Sequence, residues 1–218
     1  MITIEYVETH GWDAAIRGMR NSYNSWGESD SYFEEGLPTC DSIVLGQKDY
    51  SLMMRLVSTG STSETKFRRF ITVYFDVVAP FYWWKQFDTY KVGTVSNSCS
   101  TMHTLMNRPI ETEDISYDIS ESDPQVAKAT SELVRIMIKY LNNRMNFFRA
   151  SGDQECWREV IQLLPSGYNQ RRTICTNYEV LAKIYKERKN HKLTEWHTFC
   201  EWIESLPWSD IIIGRKDE

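Results

Sequence analysis

An α+β fold dominated by helices is what the order of patterns along this chain predicts. Helical periodicity fills most of the second half, and alternating segments occur early. Nowhere do strands and helices alternate regularly, as a doubly wound sheet would require. No internal repeat is visible, and 218 residues suffice for one sizeable core, so the chain is read as a single domain, 1–218.

The elements follow in order. Ile2, Ile4 and Tyr6 alternate over the first ten residues and predict a strand. Asp13 is placed to cap a short helix carrying Ala14, Ala15, Ile16 and Met19, which Gly18, Asn21, Ser22 and Asn24 then weaken. Residues 27–42 form an acidic loop marked by Gly and Pro. Gln47 to Ser58 predicts a second helix with Leu52, Met53 and Leu56 inward, and Gly60 stands where a C-terminal cap belongs. Lys66 to Val78 reads as a strand with Phe70, Thr72, Tyr74 and Asp76 on one side and Ile71, Val73, Phe75 and Val77 on the other. Both faces are apolar enough to predict cover on both.

The stretch Val77–His103 organises the rest. It breaks at Ala79-Pro80 and then places Phe81, Tyr82, Trp83, Trp84 and Phe87 in a short segment. Trp83 and Trp84 are expected in the core or at an interface. The run Thr89, Lys91, Thr94, Ser96, Asn97, Ser98, Cys99, Ser100, Thr101 follows. Its small hydroxyl and amide groups suit a ligand-lining backbone, and they equally suit a solvated loop. Residues 109–124 are rich in acids and lack bases, as a solvated loop would be. Ser122-Asp123-Pro124-Gln125 opens a helix to Phe148. Val126, Ala129, Leu133, Ile136, Met137, Tyr140, Leu141 and Phe148 are expected on one broad inward face of it. A shorter helix ends before Leu164-Pro165, and Thr176-Asn177-Tyr178-Glu179 is a capping-box pattern opening a helix to Arg188. From Lys192 a last helix puts Phe199, Trp202, Ile203 and Leu206 on one face before Pro207.

Composition narrows the function. Net charge is −5, which argues against nucleic acid or an anionic membrane as partner. Five cysteines without a C-x-x-C spacing argue for reduced thiols in the cytoplasm, against a disulfide framework and against a metal site. No apolar run has membrane-spanning length and no signal peptide opens the chain. Eight Trp and twelve Tyr suit a core, an interface or a stacking surface for a flat ligand. Dinucleotide, phosphate-loop, serine-hydrolase and zinc-protease motifs are all missing. The aromatic excess at 81–90 predicts a multimer whose polar run lies between subunits.

Several segments together resemble the flavin-dependent thymidylate synthase (thymidylate synthase complementing protein) family. Gly60, a polar turn, Phe67, a strand, Ala79-Pro80, aromatics, Gln86 and a polar run follow the family's order. Leu164-Pro165, Asn177 and Arg188 fall at the family's spacing, and AIRGMRNSYNSW is similar to its Ala-Arg-x-Ser-Tyr segment. The family signature reads Arg-His-Arg, Ser, Asn-Glu, Ser, Arg-Tyr. Here those positions hold Thr89-Tyr90-Lys91, Thr94, Ser96-Asn97, Cys99 and Thr101-Met102.

The resemblance implies an α+β fold with a small, mostly antiparallel sheet, and a homotetramer binding FAD where subunits meet. It implies methylation of dUMP to dTMP, with NADPH reducing FAD and methylenetetrahydrofolate giving the one-carbon unit. Carried over by position, Gln86, Lys91, Cys99, Ser100, Thr101 and Arg188 would face the nucleotide, with Cys99 and Arg188 nearest the chemistry. Tyr90, Lys91, Asn97, Asn177, Lys183 and Lys192 would face the flavin. Charge-assisted contacts contribute about 1.5–3 kcal/mol each, so two lost arginines weaken phosphate binding by roughly two orders of magnitude. Either Lys91, Arg68, Arg69, Arg171 or Arg172 rebuilds the site, or the ligand has changed. A non-catalytic relative, or one acting on another pyrimidine or one-carbon donor, fits the same residues. Cys99 is either a reactive thiol or a small packing residue. Arg188 is either a ligand fork or a helix-terminal cation.

Overall fold

The opening segment is a strand as predicted, β1 (Thr3–His10), but Tyr6 is 73% exposed and does not continue the buried side of Ile2; helix α1 (Trp12–Arg20) follows without the predicted cap. Gly11 is the N-cap, and Asp13 lies in the first turn, where its carboxylate accepts from Arg17 Nε at 3.0 Å. Gly11 has φ +90, and a Cβ there would stand 2.0 Å from the Phe70 carbonyl oxygen. Such an approach leaves room for glycine only. The computed structural model describes residues 2–34, 43–119 and 121–214. Most of the tip of the acidic loop, residues 35–42, lies outside them. What is described of that loop carries a strand, β2 (Tyr32–Phe33), paired antiparallel with β3 (Ile43–Val44).

Helix α2 (Gln47–Ser58) has the predicted bounds, with Leu52, Met53 and Leu56 buried. Its N-terminus is capped from a distance. Asp30 accepts from the Lys48 and Asp49 backbone N–H groups at 3.0 and 3.1 Å. A Cβ on Gly46 would meet Asp30 Oδ1 at 2.2 Å, so glycine is what lets the two segments close. Asp49 itself is fully buried. Its Oδ1 accepts from Arg20 Nε at 2.6 Å, and its Oδ2 accepts from the Ser29 and Ser31 hydroxyls, both at 2.7 Å. The Asp30 and Ser31 backbone N–H groups complete the shell at 3.1 Å each.

The predicted strand from Lys66 starts late. Thr65–Arg69 is a 3-10 turn, and β4 runs Thr72–Pro80. Ile71, Val73, Phe75 and Val77 are buried as expected, but Tyr74 on the other face is 41% exposed, so that face is not covered. Two further strands were not foreseen: β5 (Val95–Ser98) and β6 (Asn169–Asn177). The four-stranded sheet has the order β1-β4-β6-β5. Tyr178 N donates to Ile71 O and Phe81 N to Tyr168 O, each at 3.1 Å, a register that sets β4 and β6 antiparallel.

The chain divides into two compact units, and the strands carry it from one to the other. One holds Val78–Phe87 and Ser98–Arg172; the other holds Ile2–Val77, Asp88–Asn97 and Thr173–Glu218. In the first, α3 (Phe81–Phe87) buries Trp83, Trp84 and Phe87, with ring centroids 4.8 to 5.5 Å apart; Trp83 and Phe87 stack, and Trp84 meets both edge-on. The aromatic excess is therefore internal packing, and the multimer prediction loses that support. After α4 (Thr101–Thr104), residues 109–124 are less solvated than predicted, since Ile110 and Ile115 are buried with Leu141, Met145 and Val160. Helix α5 (Pro124–Ser151) is capped by Asp123, whose carboxylate accepts from Gln125 N and Val126 N. Only Val134, Leu141 and Met145 of α5 are buried; Leu133 and Ile136, expected inward, are 68% and 52% exposed. Helix α6 (Gln154–Leu163) packs on α5 through Cys156 and Val160.

In the second unit, α7 (Tyr178–Arg188), α8 (Thr194–Glu204) and α9 (Asp210–Ile213) close the core around Trp196, Phe199, Ile203 and Ile211. Phe75 meets Trp202 at 4.5 Å and Phe199 at 6.0 Å between ring centroids. Asn177, not Thr176, caps α7, its side chain accepting from Val180 N at 3.1 Å. Thr176 belongs to β6, and its hydroxyl meets the Thr94 hydroxyl at 3.0 Å. Among the described residues no helix is long and apolar enough to cross a membrane.

Candidate functional site

Each unit carries its own set of the predicted residues. In the second, Tyr90 and the last turn of α7 form a tight cluster. Lys183 and Glu187, four residues apart, share one face of the helix, and Arg188 is the next residue. The Tyr90 hydroxyl donates to Glu187 Oε2 at 2.8 Å and accepts from Arg188 Nε at 2.8 Å. The Arg188 guanidinium lies 4.9 Å from the Trp196 ring centroid and 5.6 Å from that of Tyr90. Lys183 Nζ stands 5.8 Å from the same tyrosine ring. Tyr90 is 5% exposed. Burial and the Glu187 carboxylate push its hydroxyl up to about 12, with Arg188 pulling the other way.

The neighbours are more open. Lys91, Asn97, Lys183 and Lys192 are exposed, so their ammonium and amide groups face solvent. Asn177 spends its carbonyl on the α7 cap. The His191 ring is held by Leu193 N, which donates to Nδ1 at 3.1 Å, and burial followed by Arg188 lowers its basicity.

In the first unit, β6 organises the polar set. Gln170 is buried, and its backbone oxygen accepts from Trp84 Nε1 at 3.0 Å. Its side-chain amide donates to the Cys99 carbonyl at 2.8 Å, while its Oε1 accepts from Arg172 Nε at 3.0 Å. The Arg172 guanidinium lies 4.2 Å over the Trp84 ring. Cys99 N donates to Arg171 O at 2.9 Å, and its exposed thiol lies 3.4 Å from the Thr104 hydroxyl. Ser100 is the N-cap position of α4, Thr101 begins it, and Gln86 is half-buried on α3. Gln170 was not foreseen. The alternation of Gln170 and Arg172 two residues apart on one face would have marked it, once β6 was known to be a strand.

Of the arginines offered as replacements for the lost signature, two are used internally. Arg68 is buried 3.6 Å from Glu179, and Arg172 covers Trp84. Arg69 and Arg171 are exposed. Among the described residues no cluster of three or more His, Cys, Asp and Glu could hold a metal.

No protein-family model and no curated protein sequence matches the chain. Solved structures do. A Helicobacter pylori flavin-dependent thymidylate synthase ThyX with FAD and dUMP superposes with a TM-score of 0.68 at 14% identity, covering 98% of this chain and 99% of that one. A second such complex gives 0.63 at 13%, over 96% and 95%. The fold is that of the flavin-dependent thymidylate synthases. A UMP/dUMP methylase, PolB from Streptomyces cacaoi with 5-Br UMP, shares it at a TM-score of 0.61 and 11% identity, over 94% and 87%.

Within this thymidylate synthase fold, Cys99, Ser100 and Thr101 lie together on one unit, and Tyr90, Lys183 and Arg188 on the other. Cys99 differs in kind from the buried thiols. Burial, then Asp153, raises that of Cys156, and burial, then Glu204, pushes that of Cys200 up to about 11. Iodoacetamide at neutral pH is expected to label Cys99 at least about tenfold faster than either, because its sulfur is exposed while theirs are buried and held as thiols. Peptide mass spectrometry over a time course reads the rates. Equal rates at the three sites would make Cys99 an ordinary packing residue.

Proposed function

We propose that the protein is a flavin-dependent pyrimidine-nucleotide methylase of the thymidylate synthase type. It acts in the cytoplasm as a homotetramer, converting dUMP to dTMP with FAD, NADPH and methylenetetrahydrofolate. The observation that carries the proposal is likeness over nearly the whole chain to structures holding FAD and dUMP, with Gln86 and Arg188 standing at the family's spacing. The donor set suits a phosphorylated cofactor through point charge rather than through arginine forks: Lys91, Lys183 and Lys192 are exposed cations. These lysines, with Asn97, Asn177 and Tyr90, would hold FAD. When bound, the flavin supplies the redox chemistry, and the protein supplies position and charge.

Arg188 is the residue we assign to the nucleotide. Its guanidinium lies 4.9 Å from the Trp196 ring centroid and its Nε donates to Tyr90, two contacts that would orient it toward a pyrimidine carbonyl or phosphate. By the family's positions alone, Gln86, Lys91, Cys99, Ser100 and Thr101 are the further residues we assign to the nucleotide. A second reading has its own support. Arg188, Arg68 and Arg172 are each engaged inside the chain, by Tyr90, Glu179 and Trp84, as expected of a non-catalytic or altered-substrate relative acting as a binding or assembly module.

Colour and turnover separate the two. Protein incubated with FAD and then desalted should keep the visible flavin bands, and should form dTMP when given dUMP, NADPH and methylenetetrahydrofolate. Flavin retained without dTMP would favour the second reading. A colourless protein would overturn the first.

A further inference from the structure

The turn between α7 and α8 is held together by His191. Its backbone N–H donates to the Arg188 carbonyl at 2.9 Å. Its own carbonyl accepts from His197 Nε2 at 2.6 Å, and its ring Nδ1 accepts from Leu193 N at 3.1 Å. Leu193 is the N-cap of α8 and its side chain can accept nothing, so the imidazole anchors the residue from which that helix starts. In the first turn of α8, Trp196 meets the His191 ring edge-on at 6.3 Å and lies 4.9 Å from the Arg188 guanidinium. Tyr90 and Phe199 hold the same indole edge-on, at 6.2 and 5.9 Å. The turn therefore ties both sides of one contact: the backbone of Arg188, and the ring beside which its guanidinium lies.

One proton decides whether the imidazole can do this. A ring nitrogen that accepts carries no proton, so His191 is neutral here, with its proton on Nε2. Protonation of Nδ1 would set one N–H against another and break the bond to Leu193. Burial, then Arg188 on α7, His197 on α8 and Lys192 in the turn, all oppose a further cation at the ring. The Glu187 carboxylate of the same cluster is engaged by the Tyr90 hydroxyl.

We propose that neutral His191 is a positioning residue for Arg188: its bare Nδ1 latches the α7–α8 turn that holds the guanidinium beside Trp196, and acid opens the latch. The proposal rests on the assignment of Arg188 to the nucleotide and adds a pH gate to that contact, acting through the turn. Its sign follows from the lowered basicity of the folded ring. The latch is complete above the unfolded value near 6.5 and is lost as pH falls from there through the folded one.

Hydrogen exchange of the Leu193 amide and calorimetry with dUMP, at about pH 8 and about pH 5.5, test the two halves separately. In the unaltered protein the amide, corrected for the pH dependence of chemical exchange, should lose protection about fivefold or more in acid. Affinity for dUMP should fall roughly three- to tenfold beyond the share of the nucleotide's own phosphate, which titrates near 6. His191→Asn offers an acceptor in place of Nδ1 and does not titrate. It should keep the amide protected at both pH values and lose only the phosphate's share of affinity. His191→Leu removes the acceptor and should show the open values at both; should it not fold, the contrast between histidine and asparagine decides alone. The same pH dependence in the unaltered protein and His191→Asn would overturn the latch and leave the nucleotide reading standing. Protection lost in acid while dUMP affinity follows the phosphate alone would make His191 a structural residue and overturn its positioning role. No dUMP binding by the unaltered protein at either pH would overturn the nucleotide reading, and the positioning role with it, whatever the Leu193 amide shows.

Discussion

Asp49→Ala is expected to cost about 3–5 kcal/mol of stability, the range for breaking a buried ion pair by removing one partner. The carboxylate is fully buried and gathers five donors: Arg20 Nε, two serine hydroxyls and two backbone N–H groups. Alanine would take from the Arg20 guanidinium, itself 3% exposed, its closest carboxylate, leaving it Ser25 and the Glu28 carbonyl with the Glu28 carboxylate at 3.9 Å, and would release the loop that caps α2 through Asp30. Thermal denaturation should show a fall of roughly 10 °C or more. Burial alone would raise the Asp49 carboxyl, but the Ser31 and Ser29 hydroxyls and Arg20 outweigh it and hold it below the ordinary range. A depressed folded-state value stabilises the protein above the unfolded value near 3.9, and that stability is lost as pH falls through the folded one. The unaltered protein should therefore lose stability below about pH 4, and Asp49→Ala should lack that component. A melting temperature within about 2 °C of the unaltered protein would refute the role.

Arg188→Ala should weaken dUMP binding by about ten- to a hundredfold, the loss of one charge-assisted contact. The melting temperature should fall too, because the guanidinium lies over the Trp196 ring and also bonds Tyr90. A helix-terminal arginine in contact with no ring would leave it nearly unchanged. Tyr90→Phe sharpens the test. If Tyr90 holds the fork in its working plane, loss of the hydroxyl weakens dUMP binding; a gain in affinity would mean that Tyr90 occupies the fork and favours the non-catalytic reading. The hydroxyl has its own pH signature. With its value raised to about 12, it contributes stability that is intact below the unfolded value near 10 and lost as pH rises through 12. Calorimetry with dUMP and alkaline melting curves read the two effects separately.

Local chemistry made much of this structure legible. The bounds of α2 follow from its apolar spacing, and the start of α5 follows from Asp123 and Pro124, because periodicity and capping act within a turn or two. What escaped was decided at a distance. Residues 169–177 contain polar and basic residues that no propensity marks as a strand, and pairing with β4 is what makes them one. The cap of α2 comes from Asp30, 16 positions before Gly46, beyond the reach of any local pattern. On α5 the helical period was legible, but which apolar positions are buried was not, since Leu133 and Ile136 are exposed while Val134 and Met145 are buried. The candidate site divided the same way. The place of Arg188 at the end of α7 was legible from spacing, whereas Gln170 and the closure of Tyr90 on Glu187 depend on contacts between remote segments.

The passage of the chain back and forth between its two units bears on biosynthesis. The unit that begins at Ile2 needs Thr173–Glu218 to close its core, so Trp12 waits for Tyr178, its edge-on neighbour at 5.4 Å, until the last quarter of the chain has emerged. On a ribosome adding roughly 5–20 residues each second, the first 77 residues would spend several seconds with Ile71, Val73 and Phe75 uncovered. The intervening unit, complete at Arg172, can condense earlier. Vectorial synthesis thus makes the amino-terminal segment the part most dependent on chaperones, and truncation anywhere in α7 or α8 should send nascent product to proteolysis.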